Sequence, residues 1–363
     1  MNFFKNLFQK QEEPIKTYSD FWQWFKQNEK EFHKIVSHRG NIEKAFFDKV
    51  SPKLTQIREG FYLLTGMFDE ETVELVFTAD GNIRNFVFIK ELVDASPKIN
   101  GWKFTAFKPS TNVDDFAIEM NDITFSNDKL FFISNVDKTY PDEIDISIIH
   151  TDYDEKDSSA ITNGIYIFLD NYLGELEFAT TIDNVRVIPV ANKTDELIPI
   201  SKLKDFLIWR EKEFVEKYEG IRHETENDEY ASYEAQLQNN KPLIAIMNST
   251  LMKWEAKPSH PWFLILKFQF DGEDNNGMPN DKDYQIMNKI EDELSLELKD
   301  FDGYLNLGRE TSDGIREVYF ACKEFYKPSK VMSELIQKYS NTLEMEYEIY
   351  KDKYWQSLNR FQS

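Results

Sequence analysis

Residues 262–270, WFLILKFQF, decide the fold of the C-terminal third of the chain. A nearly continuous apolar run of this length, bounded by polar loops, is typical of a β-strand. Alternating patterns follow it and predict a helix at 281–299, strands at 303–311 and 315–323, a helix that begins at Pro328 and Ser329, and a strand at 343–350.

This order of elements, β-α-β-β-α-β, predicts a ferredoxin-like domain over residues 242–363. The helix at 281–299 supports it, since Ile286, Ile290 and Leu294 recur at every fourth residue and form one apolar stripe. In such a domain an antiparallel sheet carries its helices on one face. We expect the other face to be open to a partner, a second sheet or water.

Upstream, the pattern predicts a separate α+β domain over residues 17–218, so the chain as a whole is α+β with two domains. Helical spacing near its start is followed, from Phe61, by the period of two that indicates strands. Residues 1–16 are predicted to form a short amphipathic N-terminal segment. Residues 219–241 are almost entirely polar and acidic, and they are predicted to be either a solvated helix or a flexible linker.

An aromatic cluster at the start of the domain 17–218 is expected to pack mainly in its core: Phe21, Trp22, Trp24 and Phe25.

Composition limits the class of protein. The chain has 363 residues with 43 Lys and Arg against 65 Asp and Glu, a net charge of −22 that repels nucleic acid. Hydrophobic residues make up 41%, enough for packed cores. The one cysteine, Cys322, excludes an internal disulfide, and no apolar run reaches the roughly 18 residues of a membrane-spanning helix. We therefore expect a cytoplasmic protein.

The run at residues 308–317, GRETSDGIRE, carries a resemblance to a known family. The family also shares features at Trp254, Gly277-Met278-Pro279, Ile290-Glu291-Asp292 and Trp355. Together these resemble a bacterial domain family of unknown function over roughly the last third of the chain. The pattern Gly-Arg-x-Thr-x-x-Gly-x-Arg-Glu is its most specific element. That family occurs beside domains similar to the small acidic B-type protein inhibitors of ribonuclease E, so the resemblance implies a ferredoxin-like fold and names no activity.

Residues in this run are the candidate binding residues, namely Arg309, Thr311, Arg316 and Glu317. If Ser312-Asp313-Gly314 forms a three-residue loop with its glycine in the left-handed conformation, Glu310 faces Arg316 and Arg309 faces Glu317 across the hairpin. These ion pairs would fix the register of an exposed hairpin. Alternatively, the two arginines form an anion or carboxylate site with the Thr311 hydroxyl, because guanidinium groups suit bidentate acceptors.

No motif for catalysis or metal binding stands out, so no catalytic residue, metal site or cofactor is predicted. His33 and His38 are five residues apart, which does not suit one face of a helix. Residues 152–157 begin like a calcium loop but lack its glycine at position six and its glutamate at position twelve. Cys322 is predicted to be a buried structural thiol.

The leading functional hypothesis is a non-enzymatic regulatory protein that binds a protein partner through the open face or an edge of its C-terminal sheet. The first alternative is a hydrolase with a site between the two domains, where His150 or His260 would converge with carboxylates. The second is a structural homodimer. The predicted partners are thus another protein or a second copy, and neither nucleic acid in general nor a membrane.

Overall fold

The computed structural model describes residues 14–114, 116–189 and 196–361. Most of the predicted amphipathic segment at 1–16 therefore lies outside the described residues. The chain divides into two compact units, Met1–Lys108 (unit 1) and Pro109–Ser363 (unit 2), and residues 219–241 lie within unit 2. Both units contain helices and strands, which confirms the α+β class. Among the described residues, no helix is both long and apolar enough to cross a bilayer.

Unit 1 contains a three-stranded sheet with helices packed on it. Its elements in chain order are α1 (Tyr18–Ser37), a π-helical turn (Glu43–Phe47), α2 (Asp48–Thr55), β1 (Tyr62–Met67), β2 (Val73–Thr78), α3 (Ile83–Asp94) and β3 (Trp102–Ala106). β2 lies in the centre, antiparallel to β1 and parallel to β3. Phe21, Trp22 and Phe25 of α1 are buried, and the Trp22 ring lies 5.6 Å from that of Phe77 on β2. These three members of the aromatic cluster are core residues, as predicted, while Trp24 is half-buried.

The first part of unit 2 builds its own core around a four-stranded sheet. Its elements are β4 (Ile118–Met120), β5 (Ile123–Phe125), β6 (Leu130–Asn135), β7 (Asp145–His150), α4 (Ser158–Leu173), α5 (Glu175–Thr181), β8 (Asn184–Ile188), β9 (Ile198–Pro199) and α6 (Leu203–Tyr218). The strand order is β8-β7-β6-β9. Ile161, Ile165 and Phe168 of α4 pack in one buried cluster with Phe132 and Ile148 of the sheet.

The acidic stretch 219–241 contains a strand, β10 (Tyr230–Gln236). It pairs antiparallel, over its whole length, with β11 (Pro242–Asn248). The two predicted alternatives, a helix or a flexible linker, were both wrong for residues 230–236. The polar composition misled the prediction because an edge strand keeps much of its surface in water, and its order comes from backbone pairing with the neighbouring strand.

The C-terminal sheet has six strands in the order β10-β11-β13-β14-β12-β15, and all neighbours are antiparallel. The remaining elements are α7 (Ser249–Met252), β12 (Trp262–Gln269), α8 (Asp281–Glu297), β13 (Tyr304–Ser312), β14 (Ile315–Cys322), α9 (Tyr326–Tyr339) and β15 (Glu344–Lys351). From β12 to β15 the elements follow the order β-α-β-β-α-β that the sequence pattern indicated. β10 and β11 add two strands at one edge, which the prediction did not include.

Part of the face opposite α8 and α9 is covered by the chain itself, whereas the sequence analysis expected a partner, a second sheet or water there. The rest of this face is exposed, since the side chain of Glu346 on it is 60% exposed. After β15 the chain folds back as a 3₁₀ helix, Gln356–Phe361. Trp355, Leu358 and Phe361 form a buried cluster there with Met247 of β11 and Tyr319 of β14. In the sequence this segment is a short tail after the last strand, in which a few apolar residues stand among polar ones. The sequence alone does not show that these apolar residues contact the sheet.

Candidate functional site

The β13–β14 hairpin closes with a two-residue turn. Asp313 and Gly314 both have positive φ, 45° and 80°, as in the type I′ turns of tight hairpins. The left-handed conformation predicted for Gly314 is confirmed. The predicted three-residue loop was wrong, because Ser312 pairs with Ile315 and belongs to the strand.

This turn sets a register in which Thr311 lies opposite Arg316 and Glu310 lies opposite Glu317. The predicted pairs of Glu310 with Arg316 and of Arg309 with Glu317 were therefore wrong. Side chains alternate between the two faces of a sheet, so a shift of one residue moves each of them relative to its partners. The positive and negative residues are consequently sorted onto opposite faces.

A β-bulge accompanies the shift. Asn306 pairs with Phe320, but Gly308 pairs with Tyr319, so Leu307 is an extra residue on β13. The pairing before the bulge, continued without it, would give the register that the sequence analysis predicted. The bulge is therefore the local cause of the difference.

The two acidic residues on the strands of the hairpin, Glu310 and Glu317, lie on the face that the C-terminal tail contacts. The Glu317 carboxylate accepts a hydrogen bond from the Tyr319 hydroxyl at 2.7 Å. Glu310 forms an ion pair of 3.1 Å with Arg360. Of the four candidate binding residues, the structure separates Glu317 from the others and brings together Arg309, Thr311 and Arg316 on the α8 side.

Glu291 on α8 binds both arginines. Its Oε2 lies 2.7 Å from Arg309 Nη1, and its Oε1 lies 3.0 Å from Arg316 Nη1. Asn288, which shares that helix face, accepts from the same two nitrogens at 3.3 and 3.1 Å. The Thr311 hydroxyl oxygen accepts from Arg316 Nε at 3.1 Å. We call these five residues the arginine cluster.

The arginine cluster has two cations and one carboxylate. The side chain of Arg316 is 3% exposed, that of Glu291 12% and that of Arg309 26%. Burial lowers the pKa of Arg316 even beside Glu291. Burial acts in the same direction on Arg309, but there Glu291 and Tyr284 together outweigh it and raise the pKa. Arg316 is thus the buried member of the pair, and Arg309 is the accessible one.

Tyr284, in the first turn of α8, brings the cluster to the surface. Its ring centroid lies 5.1 Å from the Arg316 guanidinium, within the range of a cation–π contact. A hydrogen bond with Asn288 and the positive charge of Arg309 lower the pKa of its hydroxyl. Tyr284 is exposed, so the positively charged cluster extends to the protein surface through this side chain.

The α8-side face of β10 and β11 is exposed beside the arginine cluster. Ile244 and Ile246 are 39% and 37% exposed, and Tyr230 is 52% exposed. Ser232 and Glu234 pair with the two isoleucines and share their face. We call these five residues the β10–β11 shelf.

The shelf and the cluster are continuous, because Ile246 pairs with Arg309 and Ile244 pairs with Thr311. A depression of about 150 Å³ lies at their boundary, lined by Tyr230, Ile246 and Arg309 among others. The site therefore combines an apolar surface with one accessible guanidinium, an arrangement that suits a ligand with an apolar face and a carboxylate.

The two histidines considered for catalysis are buried and hydrogen-bonded elsewhere. His150 Nε2 lies 3.0 Å from the Thr124 carbonyl oxygen, and its Nδ1 accepts from the Asp152 N–H at 3.1 Å. His260 Nδ1 lies 2.9 Å from Ser259 Oγ, and burial lowers its pKa to about 4. Within the described ranges neither imidazole bonds to a carboxylate.

The other residues weighed for metal or thiol chemistry have ordinary surroundings. Among the described residues, no group of three or more His, Cys, Asp and Glu side chains is placed to hold a metal ion. Asp152, the first residue of the calcium-like run, forms an ion pair of 2.8 Å with Lys129. Cys322 is fully buried, and burial raises the pKa of its thiol well above the usual value.

Sequence reasoning did not assign Glu291, Asn288 or Tyr284 to the site. Their spacing places them on one face of α8, but nothing in that spacing shows which strand the face contacts. The signals for the correct register were present, since Asp-Gly favours a two-residue turn and a glycine inside a strand indicates a bulge.

Comparisons with known proteins bear on this C-terminal part. No curated protein and no solved structure matches the chain. A family of unknown function is supported for the C-terminal part, as the sequence motifs indicated. Residues 228–361, which hold β10 to β15 and the whole arginine cluster, match the model of that family, DUF695.

Proposed function

We propose that residues 228–361 form a protein-binding module, and that the β10–β11 shelf binds an amphipathic helix of a partner protein. The observation that supports this is the contact between exposed apolar Ile244 and Ile246 and a cluster whose accessible Arg309 shares its carboxylate with a second arginine. The apolar face of the helix would cover the isoleucines. An aspartate or glutamate of the helix would bind Arg309.

The dimensions of the shelf favour a helix. Neighbouring strands lie about 4.8 Å apart, so two strands offer a strip roughly 10 Å wide, and a helix with its side chains is about as wide. α8 lines one side of this strip through Glu291 and Asn288. A bound helix would extend the layer that α8 begins. An extended peptide added to the edge of β10 would leave Ile244 and Ile246 exposed.

The two arginines have different roles in this proposal. Arg316 is buried and holds Thr311 and Glu291 in place, so it positions the cluster. Arg309 is the residue that reaches the ligand, since both of its bonds to the cluster leave from Nη1 and its other hydrogen bond is to the exposed Tyr284. A guanidinium has five N–H donors, so a carboxylate can bind Arg309 without displacing Glu291.

The net charge of the chain determines which partner segments it attracts. With a net charge of −22, the protein attracts segments that are basic around the contact and repels nucleic acid. The helix we propose therefore has basic flanks and a single carboxylate near its apolar face.

The same proposal includes a non-enzymatic role in a bacterial cytoplasm. It also includes a ferredoxin-like core, made of β12 to β15 with α8 and α9 and extended by β10 and β11. The family that the sequence motifs resemble occurs beside domains similar to protein inhibitors of ribonuclease E, and such inhibitors act by binding another protein. This association supports the proposal.

The test begins with the full chain as bait for a displayed library of helical peptides. We expect it to select peptides with apolar residues at i, i+3 or i+4, and i+7 and one Asp or Glu. Synthetic peptides are then titrated against Ile246→Lys and Arg309→Gln. The matched controls are Ile208→Lys on α6, which is 65% exposed, and Arg360→Gln on the face that the tail contacts.

We expect each site variant to weaken binding by about tenfold or more, as loss of a charged hydrogen bond or of buried apolar area predicts. The controls should bind like the unmodified chain. Peptides that bind all variants equally would contradict the proposal. So would a homodimer seen by light scattering that Ile246→Lys dissociates, because a second copy would then be the occupant of the shelf.

A further inference from the structure

Unit 2 contains a cavity of about 220 Å³ between α6 and the end of β15. Half of its lining residues are apolar, among them Ile144, Phe214, Trp262 and Phe325. Lys351, on the last residue of β15, also lines it. A largely buried ammonium group beside apolar side chains is unfavourable unless it has charged or polar partners.

Two buried lysines at this cavity share one carboxylate. Lys351 Nζ lies 3.1 Å from Asp183 Oδ1, and Lys353 Nζ lies 2.7 Å from Asp183 Oδ2. The side chains of Lys351, Lys353 and Asp183 are 14%, 3% and 7% exposed. The group therefore has one more positive than negative charge in a place that water reaches poorly.

The other charges that line the cavity leave the excess at one positive charge, because Lys323 and Glu211 offset each other. Lys323 adds another cation at the cavity wall. Glu211 lines the cavity as well, but burial and the negative charge of Glu177 raise its pKa.

Lys351 still has a donor to offer. Its ammonium donates to the Thr181 carbonyl oxygen at 2.9 Å and binds Asp183, which uses two of the three N–H groups of an ammonium. Lys353 is more fully occupied, since it binds Asp183, donates to the Asp142 carbonyl oxygen at 2.7 Å and lies 4.6 Å from the Phe214 ring centroid. The third N–H of Lys351 has no acceptor among the described residues.

We propose that this cavity binds a small monocarboxylate with an apolar body, whose carboxylate accepts the third N–H of Lys351. The apolar body lies against Phe214, Trp262 and Phe325. One negative charge balances the one excess positive charge, whereas a dianion such as phosphate would exceed it and would leave a charge against the apolar part of the walls. Burial also lowers the pKa of Lys351 to about 8, and a bound carboxylate would raise it again.

The probe is 3-phenylpropionate, titrated against the full chain by ligand-observed NMR. The comparison ligand is 3-phenylpropan-1-ol, which has the same apolar body without the charge. One variant, Lys351→Met, removes the ammonium. A second, Val215→Trp, fills the cavity from a position on α6 that is 55% exposed and so leaves the fold intact. The control variant is Lys156→Met, whose side chain is 83% exposed.

We expect the carboxylate to bind at least about tenfold more tightly than the alcohol, as a hydrogen bond to a charged group predicts. Lys351→Met should weaken it by a similar factor, Val215→Trp should abolish it, and Lys156→Met should leave it unchanged. Absence of binding, equal binding of the alcohol, or unchanged binding in either cavity variant would overturn the proposal. If Lys351→Met fails to fold, the alcohol and Val215→Trp still decide it. This site is independent of the proposed protein-binding shelf.

Discussion

Gly308 approaches β11 so closely that a Cβ atom on it would lie 2.3 Å from the carbonyl oxygen of Ile246. Its φ of 127° is also one that residues with side chains rarely adopt. This close approach lies at the bulge that sends Arg309 to the α8 side. Because Gly308 has no Cβ atom, β13 can approach β11 at the bulge. This bulge in turn places Arg309, the accessible cation, in the candidate site.

Gly308→Ala should destabilise the protein. A methyl group there strains the backbone and forces β11 to move, for which we expect a loss of about 2–4 kcal/mol in the free energy of unfolding. Urea denaturation followed by circular dichroism measures it. Gly66→Ala on β1 is the control, because no atom lies within 4 Å of its Cβ position, and a similar loss there would contradict the explanation.

Removing the shared carboxylate should cost more than removing the accessible cation. Glu291→Gln leaves the buried Arg316 without a counter-charge, and we expect a loss of about 3 kcal/mol. Arg309→Gln leaves Glu291 paired with Arg316 and should cost about 1 kcal/mol or less. Thermal and urea unfolding test this order, with Asp292→Asn on an exposed position of α8 as control. The reverse order would show that Arg309 holds the fold together.

His260 should make the protein less stable in mild acid. Burial lowers its pKa to about 4 from an ordinary 6.5, so the unfolded chain binds the proton more readily than the folded one. Stability is fully present above pH 6.5 and is lost as pH falls towards 4, by about 3 kcal/mol at 1.36 kcal/mol per pKa unit. Unfolding free energies at several pH values, compared with those of His260→Phe, isolate this contribution. Parallel pH profiles for the two proteins would refute it.

The C-terminal tail should contribute to stability as part of the core. Leu358 is fully buried against the sheet, and Leu358→Ala should cost about 2–4 kcal/mol. Asn359→Ala, the exposed neighbour, should change little. Equal midpoints for both in urea would mean that the tail does not pack on the sheet in solution.

Much of the C-terminal fold could be predicted because its signals are local. The run at 262–270 and the stripe of Ile290 and Leu294 each record a burial pattern that needs only neighbouring residues to be read. The strand at 230–236 could not be predicted in the same way. Its polar residues are compatible with several conformations, and its pairing with β11 decides between them.

The candidate site shows the same division. Arg309, Thr311 and Arg316 were recognisable as a group because they lie within one hairpin. Their partner Glu291 comes from a helix 18 residues earlier than Arg309, and no local pattern joins the two.

By itself, the sequence determined the α+β class, the order of elements from β12 to β15 and the left-handed turn at Gly314, because periodicity and backbone preference act over a few residues. The tertiary structure alone decided which face each charge occupies, that Glu291 serves two arginines, and that the tail from Trp355 covers part of the sheet. Those outcomes depend on a bulge and on packing between distant segments, where a shift of one residue reverses the direction of every side chain.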